Sequence, residues 1–388
     1  MKQKNKRNAA TVSAEKDILM RVLEKLLEAP AFTNPAEAYM ANMGALKAAN
    51  GESPATHEQW AQLYEVAGVI KKLAPWRYLH ESQLITLLLP GRDEPVYIVV
   101  MGNGEITYGV GVYAGYDALH RLRKMTETEL DEANISAAFE QHCINLYFGD
   151  REELEPKDKN VIKELGLKFR GKNQWPHFRS MKPGFLPWHI SYCEAELTIA
   201  ALQNFVMAFL AYAKDGLEVD FESNETLLRF YDSESDTWYN TALEMPVAPF
   251  IRPRMTISDD VLMARLKKKK RNKSRIGFAL TYLPMPVQEN KNQRPAIPRL
   301  ALLADMSSGM IIDKAMDTDH EAIVAAAAKM LTGYVEEYGR PVSISISDEE
   351  AASYVENFTE KLGIQLVEDE KFSAIGNLLM GIMGLGGM

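Results

Sequence analysis

Leu300-Ala301-Leu302-Leu303-Ala304, then Ser307-Ser308-Gly309, then Met310-Ile311-Ile312 reads as a strand, a turn and a second strand. This run decides the fold class, because the residues after it keep helix and strand periods apart. From about Asp319 to Glu337 apolar side chains recur at three- and four-residue spacings and the pattern ends at Gly339, as in a helix with a glycine stop. Val342-Ser343-Ile344-Ser345-Ile346-Ser347 alternates strictly, which is the period of a half-buried strand. Glu349 to Leu362 reads as a helix stopped by Gly363, and Ile364 to Val367 as a last strand. The order is ββαβαβ. A hairpin followed by right-handed crossovers sets the later strands parallel, in the order 2-1-3-4. Residues 299–372 are therefore expected to form an α/β domain with a mixed sheet.

Upstream the character changes. From Met245 to Pro298 prolines recur and a basic run, Arg265 to Arg275, sits among them, so residues 246–298 are expected to be a Pro-rich and basic linker. One strand-like run, Ile276–Tyr282, interrupts it. Residues 53–245 read as a larger α+β domain. Thr56 and Gln59 form a capping box for a helix that Pro75 stops. Strand-like runs follow at Leu84–Leu89, Val96–Met101 and Ile106–Tyr113, then a helix at about Asp117–Lys124 and a strand at Ile144–Phe148. Pro156 to Leu165 and Glu194 to Ala213 read as helices, the second apolar enough to be buried. Leu227–Tyr231 and Trp238–Leu243 form a hairpin. Residues 1–52 read as an N-terminal helical arm and 373–388 as a Met/Gly-rich tail. The whole chain is thus α/β in type and α+β overall.

Composition narrows the function classes. The 388 residues are 46% apolar and 25% charged, a globular profile. The net charge of −9 excludes a surface that is basic throughout, so any nucleic-acid role rests on a local patch. Two cysteines, Cys143 and Cys193, exclude a disulfide framework and fit a reducing compartment. No window gives the roughly 18 uninterrupted apolar residues of a spanning helix, and a cytoplasmic location without membrane contact is expected. No phosphate-loop lysine motif, Gly-x-Ser-x-Gly elbow or paired metal-binding histidine spacing occurs, and no cofactor is expected.

Several motifs carry a resemblance. They are Trp60-Ala61-Gln62-Leu63-Tyr64, Leu73-Ala74-Pro75-Trp76, Val112-Tyr113-Ala114-Gly115, Phe169 to Pro176 with Phe178-Arg179, and Pro183 to Trp188. With them the stretch from Trp60 to Met245 resembles a domain of uncharacterised bacterial proteins. Pro298 to Phe372 resembles a second uncharacterised domain that accompanies it, on Asp305 with Gly309, Gly339-Arg340-Pro341 and Asp348. The resemblance implies a bacterial cytoplasmic protein and no particular activity.

Three sets of residues are candidate sites. Phe169 to Trp188 reads as a loop dense in aromatic rings and arginine. Trp175, Phe178, Arg179 and Trp188 are expected to converge there as a recognition surface, or else to pin the loop by burying both tryptophans. Arg265 to Arg275 holds eight basic residues in eleven and is expected to extend a helix begun near Asp259. Lys267, Lys268, Lys269, Lys270 and Arg271 either neutralise phosphates or form a solvated linker helix. Asp305, Glu321 and Asp348 are the third set. Their placement and the domain's topology resemble the ribonuclease H-like fold, which implies acids on the first strand, in the first helix and after the fourth strand. Converging, they would hold Mg²⁺ for phosphoryl chemistry; otherwise they are helix caps and turn residues. Only two strands precede the helix if Leu300 starts the fold. If Ile276–Tyr282 comes first the count is three, but that strand carries no acid.

The expected function is a non-catalytic binding or scaffold protein that meets a protein partner through the aromatic and arginine loop. Nucleic acid bound by Arg265–Arg275 is a second possible partner. The alternative is a metal-dependent nucleic-acid-processing enzyme, or a degenerate ribonuclease H-like relative.

Overall fold

The computed structural model describes residues 53–127, 135–248, 254–346 and 349–368. The helical arm expected at 1–52 and the tail at 373–388 lie outside the described residues. The chain divides into two compact units. The first comprises Met1–Leu122, His142–Met181 and Pro187–Ile251, the second Arg123–Gln141, Lys182–Leu186 and Arg252–Met388.

The first unit opens with α1 (His57–Leu73), and the expected capping box is present: Thr56 caps the helix and Gln59 returns the bond. Strands β1 (Ile85–Leu88), β2 (Val96–Met101) and β3 (Tyr108–Ala114) follow, then helix α2 (Tyr116–Glu127), which belongs to the first unit as far as Leu122. A short helix α3 (Ile135–Phe139) belongs to the second unit. The first resumes with β4 (Cys143–Gly149), α4 (Pro156–Glu164), β5 (Trp175–Met181), the long helix α5 (Tyr192–Ala213), β6 (Glu225–Asp232) and β7 (Thr237–Glu244). The seven strands lie in the order β5-β4-β3-β2-β1-β6-β7, and β1 with β6 is the parallel pair among antiparallel neighbours. Because strand residues alternate between faces, Ile98, Val100, Val110, Val112, Leu146, Phe148 and Phe178 join one core with Leu63 and Ile70 of α1 and Leu202 and Phe205 of α5. Each such side chain, fully buried, contributes roughly 1.5–3 kcal/mol. Helix α5 is long and apolar enough to cross a membrane by length and composition, but half of its apolar window is buried within the protein.

One element departs from expectation. Residues 175–181 form a strand where a loop was expected. The strand accommodates Pro176 because β5 is an outer strand, where a missing N–H is tolerated.

The second unit holds α6 (Asp260–Lys267), β8 (Arg275–Tyr282), β9 (Arg299–Asp305), β10 (Ile311–Asp317), α7 (His320–Tyr338), β11 (Ser343–Ile346), α8 (Glu349–Leu362) and β12 (Gln365–Glu368). The order is β10-β9-β8-β11-β12. β8, β9 and β10 run antiparallel in sequence, while β11 lies parallel to both β8 and β12. The expected order 2-1-3-4 is corrected by one insertion: β8 stands between the hairpin and the parallel strands. Ile276 and Phe278 of β8 and Met263 and Leu266 of α6 join the core with Leu303, Leu331, Ile344, Tyr354 and Phe358. Part of the expected linker is therefore the centre of this sheet. Its prolines concealed that, since they flank β8 without interrupting it.

Candidate functional site

The basic run is built onto two helix ends. α6 stops at Lys267, so the run does not continue as a helix. The residues after it fold against the C-termini of α7 and α8. Lys269 Nζ donates to Glu336 O at 2.6 Å, Asn272 Nδ2 to Tyr338 O at 2.9 Å, and Arg271 to Gly363 O. Arg340 closes the clamp: Nε donates to Lys269 O at 3.0 Å and Nη1 to Leu362 O at 2.8 Å. The last carbonyls of a helix lack partners within it and carry partial negative charge, so cations settle there. Gly339 is needed for the close approach. Its φ is +90°, and a Cβ would lie 2.5 Å from Lys270 O. Gly339, Arg340 and Asn272 were not expected as parts of a site, although Gly339-Arg340-Pro341 stands out in the sequence.

The clamp sorts the cations. Arg265 pairs with Glu336 at 2.5 Å, and Lys269 and Arg271 are engaged as described. Lys267, Lys268, Lys270, Lys273 and Arg275 are exposed and make no ion pair among the described residues. They stand on a backbone fixed by the bonds from Arg340 and by Asn272 N, which donates to Arg340 O at 2.9 Å.

The aromatic segment is used differently. Trp175, Phe178, Arg179 and Trp188 do not share one exposed surface, because Phe178 and Arg179 are buried while Trp175 and Trp188 are half-buried. Phe178 is fully buried against Trp60 and Tyr64, with ring centroids 6.0 and 6.1 Å away. Arg179 is buried and donates to Asp158 Oδ1 and Oδ2 at 3.0 and 2.6 Å. His189 joins through Glu155 at 2.9 Å. Burial alone would raise the Asp158 carboxyl, but the Arg179 bonds and charge outweigh it and hold it below the usual range. Burial, with Lys157, pushes His189 down. Trp175 and Trp188 are half-buried. The main chain of Trp188 bonds Ser180 in both directions, at 2.8 and 3.0 Å.

Lys71 has a related environment. Its Nζ lies 5.3, 5.5 and 4.9 Å from the ring centroids of Trp76, Tyr108 and Phe148 and donates to Asn173 O at 2.6 Å. Burial lowers its pKa. Two of the quoted motifs, those with Trp76 and Asn173, thus meet on one lysine.

Of the three acids, Asp305 is a turn residue. Its Oδ1 accepts from Ser307 N at 3.1 Å, Ser308 N at 2.7 Å and Ser308 Oγ at 2.8 Å, and these bonds, the Ser308 hydroxyl first, lower its pKa. Glu321 is exposed in the first turn of α7. Asp348 lies outside the described residues. Among the described residues no group of three or more His, Cys, Asp or Glu is placed to hold a metal. Three strands do precede α7, but the first, β8, carries no acid. The ribonuclease H-like resemblance is not confirmed.

A buried ionic cluster in the second unit gave no sequence signal. Arg299 Nη2 donates to Glu350 at 2.5 Å and Nη1 to His320 Nδ1 at 3.0 Å, with the guanidinium 4.8 Å over the Tyr282 ring. Its partners are 17 to 51 residues away in the chain, by subtraction of their numbers, so no local pattern announces it. Both terminal nitrogens of Arg299 are bonded, while its Nε is buried without a hydrogen-bond partner among the described residues.

Residues 60–229 match the family model of a domain of unknown function (DUF7309). Residues 262–383 match that of a second domain of unknown function (DUF6930), and this match takes in β8. No curated protein matches the chain.

Proposed function

We propose that this chain, built on two uncharacterised domains, is a non-catalytic binding protein of the cytoplasm that engages nucleic acid through its basic turn. The observation that carries the reading is the sorting of the basic run. Lys267, Lys268, Lys270, Lys273 and Arg275 are exposed and make no ion pair among the described residues, while their neighbours anchor the turn to two helix ends. Cations on a fixed backbone lose less conformational freedom on binding, so more of their attraction to phosphate becomes affinity. Neutralising phosphates also releases condensed counterions, an effect that does not need a basic protein overall. The aromatic segment supports a binding role less directly. Phe178 and Arg179 are internal, so the role expected for that segment passes to the basic turn.

Hydrogen exchange of the full chain with and without a 20-base-pair DNA duplex at low salt tests the reading. Slower exchange confined to residues 267–275 and the ends of α7 and α8 is the expected result. Protection elsewhere alone, or none, contradicts it.

A further inference from the structure

β7 is an outer strand of the seven-stranded sheet. It pairs with β6 along all eight of its residues, from Thr237↔Asp232 to Glu244↔Glu225, with no register break. Its other side meets no strand among the described residues. The remaining sheet edges are protected. The Trp188 main chain takes bonds from the outer side of β5. β10 carries Asp313 and Lys314 and a register shift between Ile311 and Asp313. β12 has four residues. β7 has none of these devices: no proline, no lysine, no bulge, and no charge before Glu244. A long, flat, uncharged edge is a template for another strand.

We propose that β7 pairs antiparallel with β7 of a second copy of this chain, joining two sheets edge to edge. A second copy is favoured over another extended peptide because the strand is complementary to itself. A twofold axis at Asn240 sets Trp238 opposite Ala242 of the partner subunit and Tyr239 opposite Thr241 of the partner subunit. Each large ring meets a small side chain, and charge meets charge only at the two ends of the register, where Glu244 falls opposite Asp236 of the partner subunit. With a net charge of −9, two copies repel over most of their surface, and this uncharged strand opposes their approach least. Its side chains are already fixed. The Arg229 guanidinium lies 4.6 Å from the Trp238 ring and donates to Asn240 Oδ1 at 3.1 Å, so pairing orders little that was free.

Two measurements on the full chain test this. Sedimentation velocity should give a dimer for the wild type and a monomer for Thr241→Lys, with the urea unfolding midpoint of each first unit alike. Cysteine cross-linking tests the register. In a Cys193→Ser background, leaving only the buried Cys143, Asn240→Cys should oxidise to a covalent dimer, because directly opposite Cα atoms lie about 4.5–5.5 Å apart. Ala242→Cys, offset from its own copy by four residues, should not. A monomeric wild type, a dimer indifferent to Thr241→Lys, or no cross-link at Asn240 overturns the proposal. So does capture of a different protein's strand in place of a second copy.

Discussion

Asp158 accepts from both terminal nitrogens of Arg179, at 3.0 and 2.6 Å, and both residues are buried. Removing one partner leaves the other charge buried and poorly compensated. Asp158→Asn should lower unfolding stability by about 3–5 kcal/mol in urea titrations. The apolar double variant Asp158→Leu/Arg179→Met should recover most of that loss, since it leaves no buried charge unpaired.

The same cluster sets a pH dependence. His189 titrates below its ordinary 6.5 in the folded chain, so the unfolded chain binds its proton first. Stability held above that value is lost as pH falls through it. Asp158 titrates below its ordinary 3.8, so its contribution is present above that value and lost as pH falls through the depressed one. Both slopes have one sign. The melting temperature of the first unit should fall progressively from about pH 6.5 downward, and His189→Gln should flatten the upper part of that fall. A melting temperature that rises on acidification contradicts the assignment.

Lys71 is enclosed by three aromatic rings and bound to Asn173 O. Lys71→Met keeps an apolar stem of similar length and loses the charge. It should reduce stability by about 1–2 kcal/mol, read from urea midpoints. An unchanged midpoint would show that the charge contributes nothing there.

The clamp on the basic turn makes a local prediction. Arg340→Ala removes two bonds to main-chain carbonyls and should cost about 2 kcal/mol. Gly339→Ala forces a Cβ toward Lys270 O at a positive φ and should cost about 1–3 kcal/mol. In both variants amide exchange should quicken at the last turns of α7 and α8 before it changes in β8.

Asp305 accepts three bonds within its own turn. Asp305→Asn should leave the melting temperature nearly unchanged, since asparagine makes the same turn, whereas Asp305→Ala should lower it. Calorimetric titration with Mn²⁺ should give no saturable heat in any of the three proteins. Saturable binding abolished by Asp305→Asn would restore a metal-site reading.

Much of the fold was legible because local signals agreed. Thr56 and Gln59 announced α1, and the strict alternation of Ser343 to Ile346 announced β11. Glu349 and Gly363 bracketed α8 at its observed limits. The misses were non-local. Whether Pro176 lies in a strand depends on β5 being outermost, and whether β8 is a linker or a sheet centre depends on β9 and β11 closing around it. The candidate site was half legible. Composition exposed the basic run, but which of its cations face solvent depends on helix ends up to 92 residues away, from Arg271 to Gly363. Phe178 and Arg179 looked alike as recognition residues, and only their burial separates them from such a role.

Fluorescence anisotropy of a labelled 20-base-pair duplex, titrated with the full chain at stepped salt, tests the central claim most directly. Five cations facing phosphate would give a slope of log K against log salt of about −4.5, and Lys267→Ala/Lys268→Ala/Lys270→Ala/Lys273→Ala should reduce it by about 0.9 for each phosphate no longer neutralised. Binding absent at about 50 mM salt, or a slope the fourfold variant leaves unchanged, contradicts it.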